Sequence, residues 1–450
     1  MKMQIDKEMK LPSNVFVVGL DIGTTKIAAI VGKLNENHKL DVLGYGTAES
    51  LGVRRGVVSN IENTVESIKI AIEQAKISSG VNIQNVHVGI AGQHIRSEQQ
   101  SSRLIRKNAE EDITDDDVQQ LTENMFDLCM TPGEEIIDVI PQEFTIDGEP
   151  GIKEPVGMLG SSLEANFHII VGQTAAARNI YKCVTRAGLN VVDLILEPIA
   201  SAEAVLSEEE KEAGVALVDI GGGTTDIALF YDGVIRHTAV IPLGGDIITE
   251  DIKEGCNIIK KFAEELKIKF GSALAQENSD MQIIAIPGLK GRPPKEISMK
   301  NLARIIEART TDIIEKVYSE IKFSGYERKL SAGIVLTGGG SLLKDILQLT
   351  QYITGKDVRV GYPNEHLSNN QTIKDIASPI YSTCIGLVLN GLSKIEEEKQ
   401  KRKKQEFNEV TDKVIEKEIE KIVEEKPKKE RKPRLPFLKK IQKFLEEDEE

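Results

Sequence analysis

VVGLDIGTTKIAAI, residues Val17 to Ile30, returns as LVDIGGGTTDIAL at Leu217 to Leu229, with extra glycines in the turn of the second copy. Each copy has a β-branched apolar run, an aspartate at its end, a glycine-containing turn with paired threonines, and a second apolar run. That pattern predicts a β-hairpin with a tight turn between buried strands. An internal repeat at this separation implies two lobes of one fold, with a cleft between them.

The length agrees. A chain of 450 residues is longer than one compact core usually serves. With 57 Lys and Arg against 71 Asp and Glu, the net charge of -14 disfavours nucleic acid as a partner. The absence of Trp and an aromatic content of 4% argue against a stacking platform for single strands. Cys129, Cys183, Cys256 and Cys384 show no metal-ligand spacing and read as buried reduced thiols, which suits the cytoplasm. Met1 to Pro12 is charged and has no secretory apolar core, and no stretch reaches the ~18 apolar residues of a membrane span.

Outward from the first hairpin, Ile61, Val65, Ile68 and Ile72 give Asn60 to Ala75 a helical period, and Val86 to Ala91 reads as a strand. From Gln93 to Glu164 the chain is acidic, turn-rich and less regular, the mark of an inserted subdomain. Phe167 to Val171 reads as a strand, Thr174 to Ala187 as a helix ending at Gly188, and Val191 to Leu196 as a strand. The second repeat opens lobe two, which carries a helical insertion from Asp246 to Ser324. Ile380 to Leu392 reads as an apolar helix returning to lobe one. From Lys394 through Pro433 glutamate and lysine alternate, too polar to bury a core.

Gripping phosphate without a Walker loop needs backbone N–H groups in turns that only glycine permits, with carboxylates for magnesium or its waters. Asp21, Gly23, Thr24, Thr25 and Lys26 supply one such turn; Asp219, Gly221, Gly222, Gly223, Thr224 and Thr225 supply the other. A single DxGxT hairpin is more often a plain tight turn; its duplication is what points to phosphate. IVLTGGGSLL, Ile334 to Leu343, adds a strand, a triple-glycine turn of Gly338, Gly339 and Gly340, and a helix start with Ser341 as its cap. Such a turn lets backbone lie against a nucleoside, or is a simple strand-to-helix connection.

The ordered set DIGTTK, EPIASAEAV (Glu197 to Val205), VDIGGGTTD and TGGGS resembles the signature of actin, sugar kinases and heat-shock chaperone ATPases. The resemblance implies an α/β, two-lobed actin-like (ribonuclease H-like) fold that binds ATP and magnesium. It implies that Asp21 and Asp219 hold magnesium through water, that Lys26 touches phosphate, and that Glu197 orients the attacking water. Within AEELKIKFG (Ala263 to Gly271), Glu264 and Lys267 lie one turn apart, placed either to reach the ribose and flank adenine or to form a solvated ion pair.

IPLGGDIITEDI (Ile241 to Ile252), RRGVVSNIENTVESIKIAIEQA (Arg54 to Ala75) and NVHVGIAGQHIRS (Asn85 to Ser97) resemble the FtsA family of bacterial cell-division proteins across about residues 14 to 393. The resemblance implies lobe one at 14–84, 166–205 and 380–393, an inserted FtsA-type subdomain at 85–165, and lobe two at 206–379 with a helical insertion at about 246–324. A charged linker would follow at 394–433 and an amphipathic helix at 434–447. In that helix Phe437, Leu438, Ile441, Phe444 and Leu445 form one apolar stripe, with Lys439, Lys440 and Lys443 beside it, suited to anionic membrane lipids or to docking on a protein. Glu446 to Glu450 oppose anionic lipid, so a lone helix is a weak anchor and attachment requires several copies on a filament.

What the family resemblance then implies is a peripheral protein at the division site on the cytoplasmic face of the cell membrane. It would bind ATP as a conformational ligand with at most slow hydrolysis and assemble with itself into actin-like protofilaments. It would tether the FtsZ ring through the FtsZ C-terminal peptide and help recruit other divisome proteins. The peptide would be received at about Arg292 to Ser324, where Arg304 and Arg309 could pair with acidic groups. The alternatives are a pilus-assembly type of actin-like scaffold ATPase and a soluble ATP-dependent small-molecule kinase; the second would need a sugar pocket and a catalytic aspartate that no motif supplies.

Overall fold

The computed structural model describes residues 16–288, 293–368 and 373–400. The chain opens with β1 (Val17–Ile22), β2 (Lys26–Leu34) and β3 (Leu40–Glu49), then a short hairpin of β4 (Val53–Arg54) and β5 (Val57–Val58). Helix α1 (Ile61–Ser79) follows, opened by the Asn60 side chain accepting from the Asn63 N–H and closed by Gly80 at φ 70°. After β6 (Asn85–Ile90) the chain leaves through β7 (Ile95–Ile105), α2 (Asp115–Phe126), β8 (Glu134–Ile146), β9 (Glu149–Ile152) and β10 (Ser162–Gln173). It returns through α3 (Thr174–Arg186), β11 (Asn190–Leu196) and α4 (Glu197–Val205).

These strands make two sheets: five strands in the order β11-β6-β1-β2-β3, and four in the order β7-β10-β8-β9. Every residue of β1 is buried. One face of its sheet is covered because α1 and α3 together place Ile68, Ala71, Ala75, Ile180 and Val184 into one core with Val18, Leu20 and Val88. Burial of such side chains, at about 25 cal/mol per Å², is the principal force holding the layers together.

After α5 (Glu208–Ala213) the pattern repeats with β12 (Val215–Ile220), β13 (Thr225–Tyr231) and β14 (Val234–Ile241). An excursion follows through α6 (Gly245–Cys256), α7 (Lys260–Phe270), β15 (Ile283–Ile286), β16 (Lys295–Ser298) and α8 (Met299–Phe323), before β17 (Ile334–Thr337), α9 (Ile346–Thr354) and β18 (Val358–Val360). The second sheet of five runs β14-β13-β12-β17-β18. In both repeats the first strand pairs antiparallel with the second, with Asp21 opposite Ala28 and Asp219 opposite Asp226. A helix beginning at residue 382 then packs on β1: the Cys384 thiol donates to the Gly19 carbonyl at 3.3 Å, and Leu387 and Val388 would meet any Cβ added at Gly19.

Several expectations are corrected here. Residues 93–164 are regular rather than turn-rich: β7, β8 and β10 are long paired strands, and α2 starts with a capping box between Thr114 and Asp117. Their outward faces are polar because one side of the sheet meets solvent, which dilutes the apolar signal. β6 pairs with β1 and β11, so the strand at residue 85 belongs to the first sheet, whereas Phe167–Val171 lies in β10 of the four-stranded sheet. The excursion of lobe two is not purely helical, since β15 and β16 pair within it. Cys129 is exposed, and only Cys183, Cys256 and Cys384 are buried. The expected amphipathic stripe Phe437–Leu445 and nearly all of the charged linker lie outside the described residues.

Candidate nucleotide-binding site

The β1–β2 turn and the β12–β13 turn meet tip to tip. A Cβ added to Gly222 would collide with Thr25, and one added to Gly223 would collide with Thr24, so this approach demands glycine. The second turn is pinned from behind: the Gly245 N–H donates to the Gly221 carbonyl at 2.9 Å, the Asp246 N–H to the Gly222 carbonyl at 2.7 Å, and the Thr225 hydroxyl to the Leu243 carbonyl at 2.8 Å.

Both turns open onto one cavity of about 530 Å³. Asp21, Gly23, Thr24, Thr25 and Lys26 line it from lobe one, and Asp219, Gly221, Gly222, Gly223 and Thr224 from lobe two. Glu197, Glu264, Lys267, Gly338, Gly339 and Gly340 line it as well. Thr225 and Ser341 do not: Thr225 is turned to Leu243, and the buried Ser341 hydroxyl donates to the Gly338 carbonyl at 2.7 Å. Ser341 therefore caps no helix; the glycine turn runs into a 3-10 turn at Gly339–Leu342, and α9 starts only at Ile346, behind Asp345.

Three buried aspartates, Asp21, Asp219 and Asp226, converge on the cavity, with half-buried Glu197 and Lys26 beside them. Asp219 accepts from the Ser201 hydroxyl at 2.6 Å and the Thr383 hydroxyl at 3.2 Å, which fixes its orientation. Gly338, at φ 77°, passes so close that a Cβ there would collide with the Asp219 Oδ1. Removal from water raises the Asp21 carboxyl to about 6, opposed by Lys26 and reinforced by Asp219. Burial likewise holds Glu197 well above the ordinary carboxylate range, with Asp21, Asp226 and Asp219 all adding to the effect. Lys26 is lowered by the same desolvation, which Asp21 opposes; its Nζ donates to the Ile380 carbonyl at 2.6 Å and lies 3.7 Å from the centre of the Tyr381 ring.

The third buried aspartate, Asp226, is missed by sequence reasoning. Burial raises it to about 8, assisted by Asp219 and opposed by a hydrogen bond from the Thr224 hydroxyl at 2.9 Å. Its Oδ1 is buried without a partner. The signal was present: Thr224 and Asp226 stand two apart, so they share one face as β13 begins. Ser201 and Thr383 carried no such signal, because only the folded chain brings them to Asp219.

Glu264 and Lys267 form an ion pair at 2.8 Å, and Lys267 also reaches the Gly245 carbonyl at 2.9 Å and the Thr249 hydroxyl at 2.8 Å. The pair is therefore part of the wall that holds the second turn. Beyond it the lining becomes apolar, with Ile248, Ile268, Phe270, Met299 and Ile313. The two arginines expected at a peptide site stand apart from the cavity lining. Arg309 makes a two-pronged contact with Asp251 at 2.6 and 3.3 Å and a further one with Asp312 at 3.0 Å, so its charge is already matched; Arg304 is exposed and touches Asn301 at 3.1 Å.

Solved structures share this architecture at low sequence identity. The PilM-PilN type IV pilus biogenesis complex matches with a TM-score of 0.59 at 17% identity, covering 84% of this chain and 98% of that one. MreB5 of Spiroplasma citri bound to ADP matches with a TM-score of 0.52 at 16% identity, covering 86% and 99%. Fold and paired turns together define a two-lobed actin-like protein. Sequence goes further: Cell division protein FtsA of Pseudomonas aeruginosa is 42% identical over 382 residues, 85% of this chain and 90% of that protein. The profile of Cell division protein FtsA matches residues 216–386, that of the SHS2 domain inserted in FtsA matches 92–171, and that of Hsp70 protein matches 174–254. The chain belongs to the FtsA family of cell-division proteins.

Proposed function

We propose that this cell-division protein binds ATP with magnesium in the cavity between its lobes and, in that state, assembles into actin-like filaments. These lie on the cytoplasmic face of the membrane at the division site and tether the FtsZ ring there. The observation that carries the nucleotide reading is the meeting of two glycine turns over three buried aspartates, Glu197 and Lys26. The donor set suits the ligand. Glycine turns present N–H groups to phosphate oxygens, and the unpartnered Asp226 Oδ1 is the kind of atom that a hydrated cation satisfies.

Among the described residues no three His, Cys, Asp or Glu side chains are arranged to grip a metal directly, which favours Asp21, Asp219 and Asp226 holding magnesium through its waters. Bound magnesium would offset phosphate charge. Lys26, released from Ile380, would add a point charge to the phosphates, and Glu197 would orient a water for slow hydrolysis. The apolar stretch from Ile248 to Ile313 would take the base.

Among the described residues no helix is long and apolar enough to cross a membrane, so attachment falls to the stripe Phe437, Leu438, Ile441, Phe444 and Leu445, with Lys440 at anionic lipid. The FtsZ C-terminal peptide would dock around α8, where Arg304 pairs with no carboxylate among the described residues and Arg309 pairs with Asp251. Equilibrium dialysis against magnesium-ATP tests the nucleotide reading: the full chain should bind, and Asp219→Asn should weaken binding at least about tenfold. Equal affinity in both proteins would overturn it.

A further inference from the structure

The β4–β5 hairpin turns at Arg55 and Gly56, both with positive φ, 48° and 72°. A non-glycine residue in that region costs of order 1 kcal/mol or more and persists only where its surroundings fix it. The surroundings are three. In the first phosphate turn, the Thr24 hydroxyl accepts the Gly56 N–H at 3.1 Å. From the second, Gly223 approaches so closely that its Cβ would lie 2.9 Å from the Arg55 Cα. On the far side is Gly92: a Cβ on Gly56 would lie 2.7 Å from the Gly92 Cα and 2.9 Å from the Ala91 carbonyl.

Gly92, at φ 127°, stands where the chain leaves β6 for the inserted subdomain, the first residue of the 92–171 match. Beside it both ring nitrogens of His94 are buried without a hydrogen-bond partner, so the junction is not locked by polar contacts of that ring. The subdomain meets lobe two across a polar seam, in which Ser97, Gln99 and Gln142 donate to carbonyls of β14 at 2.9, 2.9 and 2.7 Å. Polar seams of this kind separate and re-form at modest cost. Arg55 itself is exposed, with no ion pair or hydrogen bond to another described residue.

We propose that Arg55 binds the terminal phosphate of the nucleotide and that the Arg55–Gly56 turn passes its presence to Gly92, setting the orientation of the inserted subdomain against lobe two. The inference rests on the nucleotide reading above. Its chemistry is that of a guanidinium: planar, permanently charged and matched to phosphate oxygens, carried on a turn whose backbone packs against Thr24 and Gly223 of the two phosphate turns and whose Gly56 lines the cavity. A diphosphate offers the side chain nothing in that place. The difference between the two nucleotides is then a difference in where the turn sits, and the packing of Gly56 against Gly92, too close to admit a Cβ, carries it to the subdomain.

The test measures a distance in the full chain. One spin label goes on Cys129, exposed in the inserted subdomain while the other three cysteines are buried. The second goes on Tyr352→Cys in α9, where the native side chain is 88% exposed. With magnesium-ADP and then a non-hydrolysable ATP analogue, binding of each verified by dialysis, the mean separation should differ by about 3 Å or more. Arg55→Ala should bind the ATP analogue more weakly than the native chain does and, when saturated with each nucleotide, lose that difference; Arg55→Lys should keep part of it. An unshifted distance in the native chain with both nucleotides bound overturns the proposal, as does a full shift in Arg55→Ala. If neither nucleotide binds the native chain, the nucleotide reading itself fails and this inference falls with it.

Discussion

Asp226 has one carboxylate oxygen on the Thr224 hydroxyl and the other without a partner, in surroundings that raise it to about 8. A carboxyl raised this far favours its protonated form, so a cation brought alongside competes with a proton. Calorimetric titration of magnesium-ATP at pH 7 in two buffers of different ionisation enthalpy should show net proton release, and Asp226→Asn should reduce that release. Gly338 is the complementary case. Its φ of 77° and the collision of any Cβ with Asp219 predict that Gly338→Ala destabilises the fold by about 1–3 kcal/mol in urea unfolding and weakens nucleotide binding more than tenfold. Such constraints are only half legible in a sequence. The repeated Asp-Gly-Thr turns announce themselves by spacing, whereas Ser201 reaches Asp219 from α4 and Thr383 from the helix that begins at residue 382, 164 residues further along the chain.

The seam between the inserted subdomain and β14 has His168 at its centre, its Nε2 2.9 Å from the Thr238 hydroxyl. Burial, and secondarily His237, lower His168 from the ordinary 6.5 to about 4. The folded state thus binds this proton less readily than the unfolded state. Its stabilising contribution is full above about pH 6.5 and is lost as pH falls toward 4, a loss of roughly 3 kcal/mol. Urea midpoints across that window should fall with pH, and the fall should be shallower in His168→Gln. Gln142→Ala, which leaves the buried Ile235 carbonyl unsatisfied, should cost about 1–3 kcal/mol and speed hydrogen exchange along β14. None of this was visible beforehand. Helices such as α1 show in their 3.6-residue period, and the central strands β1 and β12 are buried along their whole length and so uniformly apolar. β7 reads IRSEQQSSRLI because one face meets water, and nothing in that string says that its Ser97 and Gln99 would dock on another lobe.

For the whole molecule, one architecture serves several trades. The structural likeness to a pilus-assembly protein and to MreB5 fixes the fold and stops there, while identity of 42% over most of the chain fixes the family. Coupling of nucleotide to membrane is the claim that distinguishes a tethered filament from a soluble actin-like scaffold. Many weak anchors on one filament hold far better than one, so lipid binding should depend on assembly. The most direct test is co-sedimentation of the full chain with anionic vesicles, with and without magnesium-ATP, beside a chain ending at Pro433 and a Phe437→Glu variant. The account predicts that only the full chain pellets with vesicles, and more of it when magnesium-ATP is present. If all three proteins sediment alike, or if the nucleotide makes no difference, the membrane-tethered filament is contradicted.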